Sequence, residues 1–415
     1  MSATTPFVGT RVFSNLSDTI AAIDTRDSTV IGLCLPLPNI AAADNTKIPL
    51  DEPFRISMDD PATIAMLGAG LAQDTINQIA SEGIVTDIAF VRAKAAADLE
   101  AQVGHIVGSQ SQKTGIFALL EAKDELKLEP GCLLAPGYTS QRLGGAKNPV
   151  AMAMDTICSL IIDCLGYVDA PASSREAAAE YAADFATSLN MVAMYPAARV
   201  YLDGQDVVRP LSPHAAAAMV RRDKEVGNPF KAAWNRPLKG VRGPSQRVTY
   251  RDGDTSSDAN FLNQNGLGTV IEGSLLWAPY TTATDPTVRA YRQIKRIRTR
   301  RSIEKAMLRA LRQYASEDVG PHLVQLIARS LSEACEERRV LGAIIAFEIL
   351  YSKGLNPGTF LRDGGLRLKL RFEETPALTD LQIYTEPQPE AFDVLSAAIA
   401  ASLATLGGSN IRAVA

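Results

Sequence analysis

The residues of this chain best suited by type to do chemistry are its five cysteines and three histidines. Their spacing offers them no shared task. Cys34, Cys132, Cys158, Cys164 and Cys335 form no CxxC pair, and no Cys/His group has zinc-ligand spacing. Cys34 and Cys132 lie in apolar, strand-like runs (VIGLCLPL and GCLLAPG), and the other three lie in apolar helical patterns. Buried free thiols are the expectation; disulfides between subunits, formed in an oxidising medium, are the other reading. His214 follows Pro213 and opens a helix, where a capping or interfacial role suits it better than that of a general base. His105 and His322 stand alone. The GxSxG elbow and the Walker A sequence are both absent. Gly68-Ala69-Gly70 begins like a dinucleotide fingerprint, but Gln73 stands where the third glycine belongs, and no buried strand immediately precedes it. Ser140, Asp155 and Asp169 have no histidine that any motif brings to them, and a triad needs nucleophile, base and orienter in one site. No catalytic residue, cofactor or metal is therefore expected.

Charge is segregated along the chain. Between Thr287 and Arg312 stand ten basic residues, among them Arg292, Lys295, Arg296, Arg298, Arg300, Arg301 and Lys305, against Glu304 alone. From Phe372 to Asn410 there are six acidic residues, including Glu373, Glu374, Asp380 and Glu386, and no Lys or Arg. Such asymmetry fits three readings: a solvated helix face, a nucleic-acid surface, or complementary contacts in an assembly. No aromatic platform or DNA-binding motif accompanies the basic helix. The whole chain carries a net charge of only -4, which gives no general pull toward polyanions. No apolar run reaches the roughly 20 residues needed to span a bilayer, and the opening MSATTPFVGTRVFSN lacks the pattern of a secretory signal. Neither nucleic-acid binding nor membrane insertion is expected.

The elements that would carry these residues read as α/β. With 415 residues, 46% of them hydrophobic, two or three domains are expected. Residues 1–26 hold too little apolar material to fold alone and read as an extended arm. Ser28–Leu35, Pro53–Met58 and Val85–Arg92 read as strands around a helix that ends near Glu82-Gly83. Further strands are predicted at Cys132–Ala135, Gly166–Asp169, Met191–Tyr195 and Val200–Leu202, with helices at Ala97–Val107, Ile116–Ala122, Pro149–Leu165 and Ser173–Leu189. Strands alternating with helices predict a doubly wound parallel sheet. The polar stretch Tyr250–Asn265 reads as a boundary. Beyond it, Gly268–Trp277 predicts a strand pair, Thr287–Ala315 and Pro321–Arg338 predict long helices, and Leu341–Tyr351 a strand or short helix. Leu366–Phe372 and Leu378–Tyr384 predict strands, and Glu390–Leu406 a last amphipathic helix.

Two segments in fixed order carry a resemblance. Pro210–Gln246 reads PLSPHAAAAMVRRDKEVGNPFKAAWNRPLKGVRGPSQ, and Asn260–Pro286 reads NFLNQNGLGTVIEGSLLWAPYTTATDP. Both look like surfaces built to sit among copies of themselves. Their order, with LLAPGYTS (Leu133–Ser140) and YVDAP (Tyr167–Pro171) before them, resembles the contractile tail sheath proteins of bacteriophages and tailocins. Two departures are local: Ala278 and Pro279 replace the family's Gly and its neighbour after LLW, and the family's N-terminal opening survives loosely as Phe7-Val8-Gly9-Thr10-Arg11-Val12. The resemblance implies a non-enzymatic subunit with a subtilisin-like α/β sheath domain over 27–249, an inner, tube-facing α+β domain over 250–372, and arms at 1–26 and 373–415. It implies arm strands at Phe7, Val8, Val12 and Phe13 and at Leu366, Leu368, Leu370 and Phe372, which add to neighbours' sheets. Arg292, Lys295, Arg296, Arg298, Arg300, Arg301 and Lys305 become candidate tube or neighbour contacts, and Glu373, Glu374, Asp380 and Glu386 a candidate acidic face. The implied partners are copies of the chain itself, as a helical polymer of stacked hexameric rings, with the tail tube, baseplate and tail terminator proteins. The implied location is a virion tail or tailocin particle assembled in the host cytoplasm. An α/β hydrolase and a basic-helix nucleic-acid binder are the alternatives from other classes.

Overall fold

The computed structural model describes residues 29–202 and 204–405. The expected arm strand at Phe7, Val8, Val12 and Phe13 lies outside them. Contacts divide the chain into two units, one ending at Ala377 and one beginning at Leu378.

The first unit is built on a mostly parallel sheet. Its strands are β1 (Ile31–Pro36), β2 (Pro53–Ser57), β3 (Asp87–Ala93), β4 (Cys132–Leu134), β5 (Leu165–Asp169), β6 (Met191–Met194), β9 (Arg236–Pro237), β11 (Leu267–Ile271) and β12 (Leu275–Trp277), in the order β2-β3-β1-β4-β5-β6-β11-β12-β9. The stretch from β3 to β11 is parallel; β2, β12 and β9 pair antiparallel at the two ends. All six residues of β1 are buried, as strands covered on both faces require. Alternation decides which face each residue serves. Ile31, Leu33, Leu35, Phe90 and Tyr167 pack on one side; Cys34, Ala89, Val91 and Val168 pack on the other.

Helices cover both faces. In chain order they are α1 (Pro61–Ala65), α2 (Leu71–Ser81), α3 (Leu99–Val107), α4 (Ala122–Leu126), α5 (Pro149–Leu160), α6 (Arg175–Ala183), α7 (Ser212–Val226), α8 (Asp258–Gln264), α9 (Ile294–Leu311), α10 (Pro321–Val340) and α11 (Gly358–Arg362). α2 and α7 share one core with the sheet, while α3, α5 and α6 share the other. Caps written in the sequence start several of them: Asp98, Asn148 and Ser174 each accept a backbone N–H of the first turn. α7 is capped from elsewhere. The Asp169 carboxylate, at the end of β5, accepts from the N–H groups of Leu211 and Ser212 at 2.9 Å and from Ser212 Oγ at 2.6 Å.

α7 corrects one expectation. Its run HAAAAMV is buried from end to end, so it is not a surface that faces other copies. Four alanines let the helix lie close against the sheet, where bulkier side chains would hold it away.

A second sheet joins β7 (Ala198–Leu202), which contains the strand expected at Val200–Leu202, with β8 (Gln205–Arg209) and β10 (Gly243–Pro244), which the sequence did not show, antiparallel in the order β10-β7-β8. The polar stretch 250–265 leads through α8 back into β11 and β12 of the large sheet. A third sheet pairs β13 (Ile344–Leu350) with β14 (Lys369–Glu374), antiparallel, with a bulge near Ile344. β14 thus begins three residues after the predicted start at Leu366. Phe230, Ile303, Cys335, Ala343 and Ile344 form a small core beneath it.

The second unit is α12 (Ala391–Thr405) and the segment before it. The strand predicted at Leu378–Tyr384 does not form; those residues have no regular structure. A strand exists only with a partner ladder, and within this unit there is none. No residue of α12 is buried.

Candidate functional site

The basic helix α9 is the site that the charge pattern singled out, and its cations turn out to be engaged inside their own subunit. α9 lies across the amino ends of the parallel strands. Arg301 donates to the Cys164 carbonyl, just before β5, at 3.1 Å, and to Asn190 Oδ1, just before β6. Lys305 and Arg309 reach Glu129, three residues before β4, at 3.0 and 2.6 Å. Arg298 turns to the last turns of α7 and grips Asp223 with both ends of its guanidinium, Nη1 to Oδ1 at 2.9 Å and Nη2 to Oδ2. That pair is sealed: Arg298 is 3% exposed and Asp223 5%.

The acidic partners are mostly its own as well. Glu374 is buried and faces Arg300 Nε at 2.5 Å and Arg296 Nη2 at 3.2 Å; Arg296 also pairs with Glu373. Lys295 donates to the Thr375 carbonyl. Arg292 lies over the Tyr280 ring at 4.0 Å and donates to the Gln264 carbonyl. Over part of this cluster opens a cleft of about 330 Å³, lined by Tyr291, Arg296, Arg300, Arg301, Glu304 and Glu374. Asp380 and Glu386 lie in the second unit and are exposed. Leu366, Leu368 and Leu370 line an open groove beside α10 rather than a closed core, and Phe372 sits under the Arg300 guanidinium.

Burial sets the electrostatics here. It raises the Asp223 carboxyl above its usual value despite the opposing charge of Arg298. It pushes the neighbouring Asp163 carboxyl up to about 6, again against Arg298 and Lys305. Burial acts in the same sense on Glu129, but Lys305 and Lys123 more than offset it, so that carboxyl titrates below its usual range. One expected surface contact is corrected: Arg298 is buried within the subunit. Arg296 and Arg300 have internal partners in Glu373 and Glu374. Among the described residues of this stretch, Arg289 and Arg312 are exposed and make no ion pair.

The groups weighed for catalysis are structural where they can be traced. His214 is fully buried, its Nδ1 2.8 Å from Glu82 Oε1. Glu82 also accepts from Arg221 Nη1 at 2.7 Å and from the backbone N–H groups of Lys239 and Gly240 at 2.9 and 3.2 Å. One carboxylate thus ties α2, α7 and the loop after α7 together. His105 Nδ1 meets the Lys94 carbonyl. Asp155 holds Ser188 and Asn190, and Asp169 caps α7. All five cysteines are buried and free. Among the described residues no group of three or more metal-ligating side chains gathers, and no helix is long and apolar enough to cross a membrane.

The arrangement is that of a mixed α/β scaffold with internally braced charge and, in the second unit, an exposed apolar helix. No family model matches the chain. Its fold is that of contractile sheaths. It superposes on the sheath of the PVC extracellular contractile injection system in its contracted state with a TM-score of 0.68, over 94% of this chain and 100% of that one, at 14% identity. The contracted sheath of the anti-feeding prophage gives 0.64, over 93% and 100%, at 15% identity. Among curated proteins, the chain is 29% identical over 359 residues to a prophage major tail sheath protein of Pseudomonas aeruginosa (strain UCBPP-PA14), covering 84% of this chain and 88% of the relative. It is 27% identical over 421 residues to the major tail sheath protein of Serratia phage KSP20, covering 97% and 99%. The chain is thus a homologue of the tail sheath proteins of phages and prophages, which are structural proteins and not enzymes.

Proposed function

We propose that the chain is the structural subunit of a contractile tail sheath, of a phage or a tailocin, that polymerises helically around a tail tube and contracts to drive the tube through a target envelope. The observation that carries this reading is end-to-end homology to tail sheath proteins in a chain whose second unit has no core of its own. From Leu378 to Thr405 the apolar side chains stand in water: Tyr384 is 86% exposed and Phe392 73%. A monomer gains nothing from such a terminus, whereas a polymer can bury it.

The two-stranded sheet β13–β14 supports the same reading. It offers unpaired edges, and Leu378–Tyr384, an alternating sequence without a ladder, suits addition to such an edge in a neighbour. In this reading the outer, doubly wound, subtilisin-like domain does not stop at 249 but runs on through β11 and β12 of the large sheet, the stretch from α9 through β14 belongs to the inner, tube-facing part, and 1–26 and the segment that follows β14, rather than one starting at 373, are arms. Arg296 and Arg300, which keep part of their surface beside the cleft, remain candidate tube contacts. Rings of six copies stack around the tube, bounded by baseplate and tail terminator proteins, in a particle assembled in the host cytoplasm. Contraction needs only two packings of rigid subunits that differ in free energy, with the arms keeping the mesh connected. Negative-stain electron microscopy of the purified protein at high concentration, with and without the tube protein, tests this. Hollow striated tubes or stacked rings are expected. Dispersed particles in both samples would overturn it.

A further inference from the structure

The first unit carries a largely apolar groove that no other described residue of that unit fills. Its volume is about 510 Å³. Leu323, Ile327 and Leu331 form one wall, a stripe at i, i+4 and i+8 along α10; Leu366 and Leu368, just before β14, and Leu370 within it form the other. Leu323 and Leu331 are already buried, while Ile327, Leu366, Leu368 and Leu370 keep part of their apolar surface open to this space.

The same chain carries a helix with the opposite defect. α12 has no buried residue, and Phe392, Leu395, Ile399 and Leu403 recur at i, i+3, i+7 and i+11, all exposed. This is the anchor spacing of a helix that lies in a groove. We infer that the apolar stripe of α12 from a second copy of this chain fills the leucine groove between α10 and the 366–370 segment. The inference rests on the reading of the chain as a self-assembling subunit and adds a specific seat for its terminal helix, distinct from strand addition at β13–β14.

Two further observations fit. Charge is complementary: residues 378–405 carry Asp380, Glu386, Glu390 and Asp393 and no Lys or Arg, while Arg312, Arg367 and Lys369, exposed, interleave with groove residues against Glu317 and Asp318. The tether is long: the residues 378–390 lie between the first unit and α12, and a chain of that length spans up to about 45 Å when extended.

Cysteine cross-linking tests the inference with the full chain. All five native cysteines are buried, so introduced thiols dominate the reaction with a mild oxidant such as diamide. One preparation carries Leu368→Cys in the groove, another Ile399→Cys on α12. Mixed before assembly and then oxidised, they should give a disulfide-linked species at twice the 44.4 kDa subunit mass, absent from either variant alone and lost on reduction. A third variant, Val208→Cys on the β7–β8 hairpin, mixed with Ile399→Cys, should give none. Polymers without the Leu368–Ile399 cross-link would refute the groove while leaving the sheath reading intact. A dimer formed by Ile399→Cys alone would refute it too, by showing that α12 pairs with α12. Absence of any polymer, with or without the tube protein, would bring down both.

Discussion

Replacing Arg298 by alanine separates a brace from a contact surface. The sequence places Arg298 among the cations offered to a partner, and a partner contact predicts normal folding with impaired assembly. The structure predicts the reverse. Removal of the guanidinium leaves Asp223, 5% exposed, as a carboxylate in the interior with its bidentate partner gone. Breaking a buried pair from one side costs about 3–5 kcal/mol, a large share of the roughly 5–15 kcal/mol by which a domain is stable. The assay is urea unfolding of the dilute, unassembled chain, followed by the fluorescence of Trp234 and Trp277. Arg312→Ala, at an exposed cation without an ion pair, is the reference and should stay within about 0.5 kcal/mol of the parent. The double change Arg298→Met with Asp223→Leu removes both charges at similar volume and should recover most of the loss. An Arg298→Ala chain as stable as the parent but unable to polymerise would refute the reasoning and return Arg298 to the surface.

Three other predictions concern the same subunit. Glu82→Ala strands His214, Arg221 and two backbone N–H groups in the interior, so a loss of about 3–5 kcal/mol is expected, with faster hydrogen exchange at Lys239 and Gly240; an unchanged unfolding midpoint would show that the loop is held otherwise. Gly240→Ala puts a Cβ 1.9 Å from Ser81 Oγ and 2.8 Å from His214 Cε1, and overpacking of this kind costs about 1–3 kcal/mol; a neutral result by thermal denaturation would mean that the loop moves aside. Asp163 should make stability depend on pH. Its folded value of about 6 lies above the ordinary aspartate value of 3.8, so the folded state holds the proton more tightly, and the stabilisation is present below pH 4 and lost as pH rises through 6. Relative to Asp163→Asn, the parent should lose on the order of 3 kcal/mol between pH 4 and 7. A difference that stays flat across that range would mean that the carboxylate is solvated or fully paired.

The parts of this fold that were legible in the sequence are those written locally. Continuous apolar runs such as STVIGLCL marked the buried parallel strands, and apolar helical patterns placed α3, α5 and α6 close to their observed starts at Leu99, Pro149 and Arg175. The harder parts depend on partners far along the chain. Arg298 meets Asp223 across 75 residues, Arg301 meets Cys164 across 137, and Arg309 meets Glu129 across 180. Nothing in a window of sequence distinguishes such a cation from a solvated one, which is why α9 read as a surface. The alanines of α7 misled for a related reason: small residues allow close packing equally against a neighbour and against one's own sheet. Leu378–Tyr384 failed as a strand because alternation specifies a face but not the existence of a ladder to join.

The sealing of Arg298 against Asp223 also determines what ionic strength can report. Mobile ions screen charges that water reaches, over about 8 Å at physiological salt, and they do not enter a dry pair. Added salt therefore leaves the brace under α9 unaffected and acts on the outward cations, Arg289 and Arg312 among them. Any loosening of polymers as salt rises measures the rim of the interface and not the integrity of the subunit.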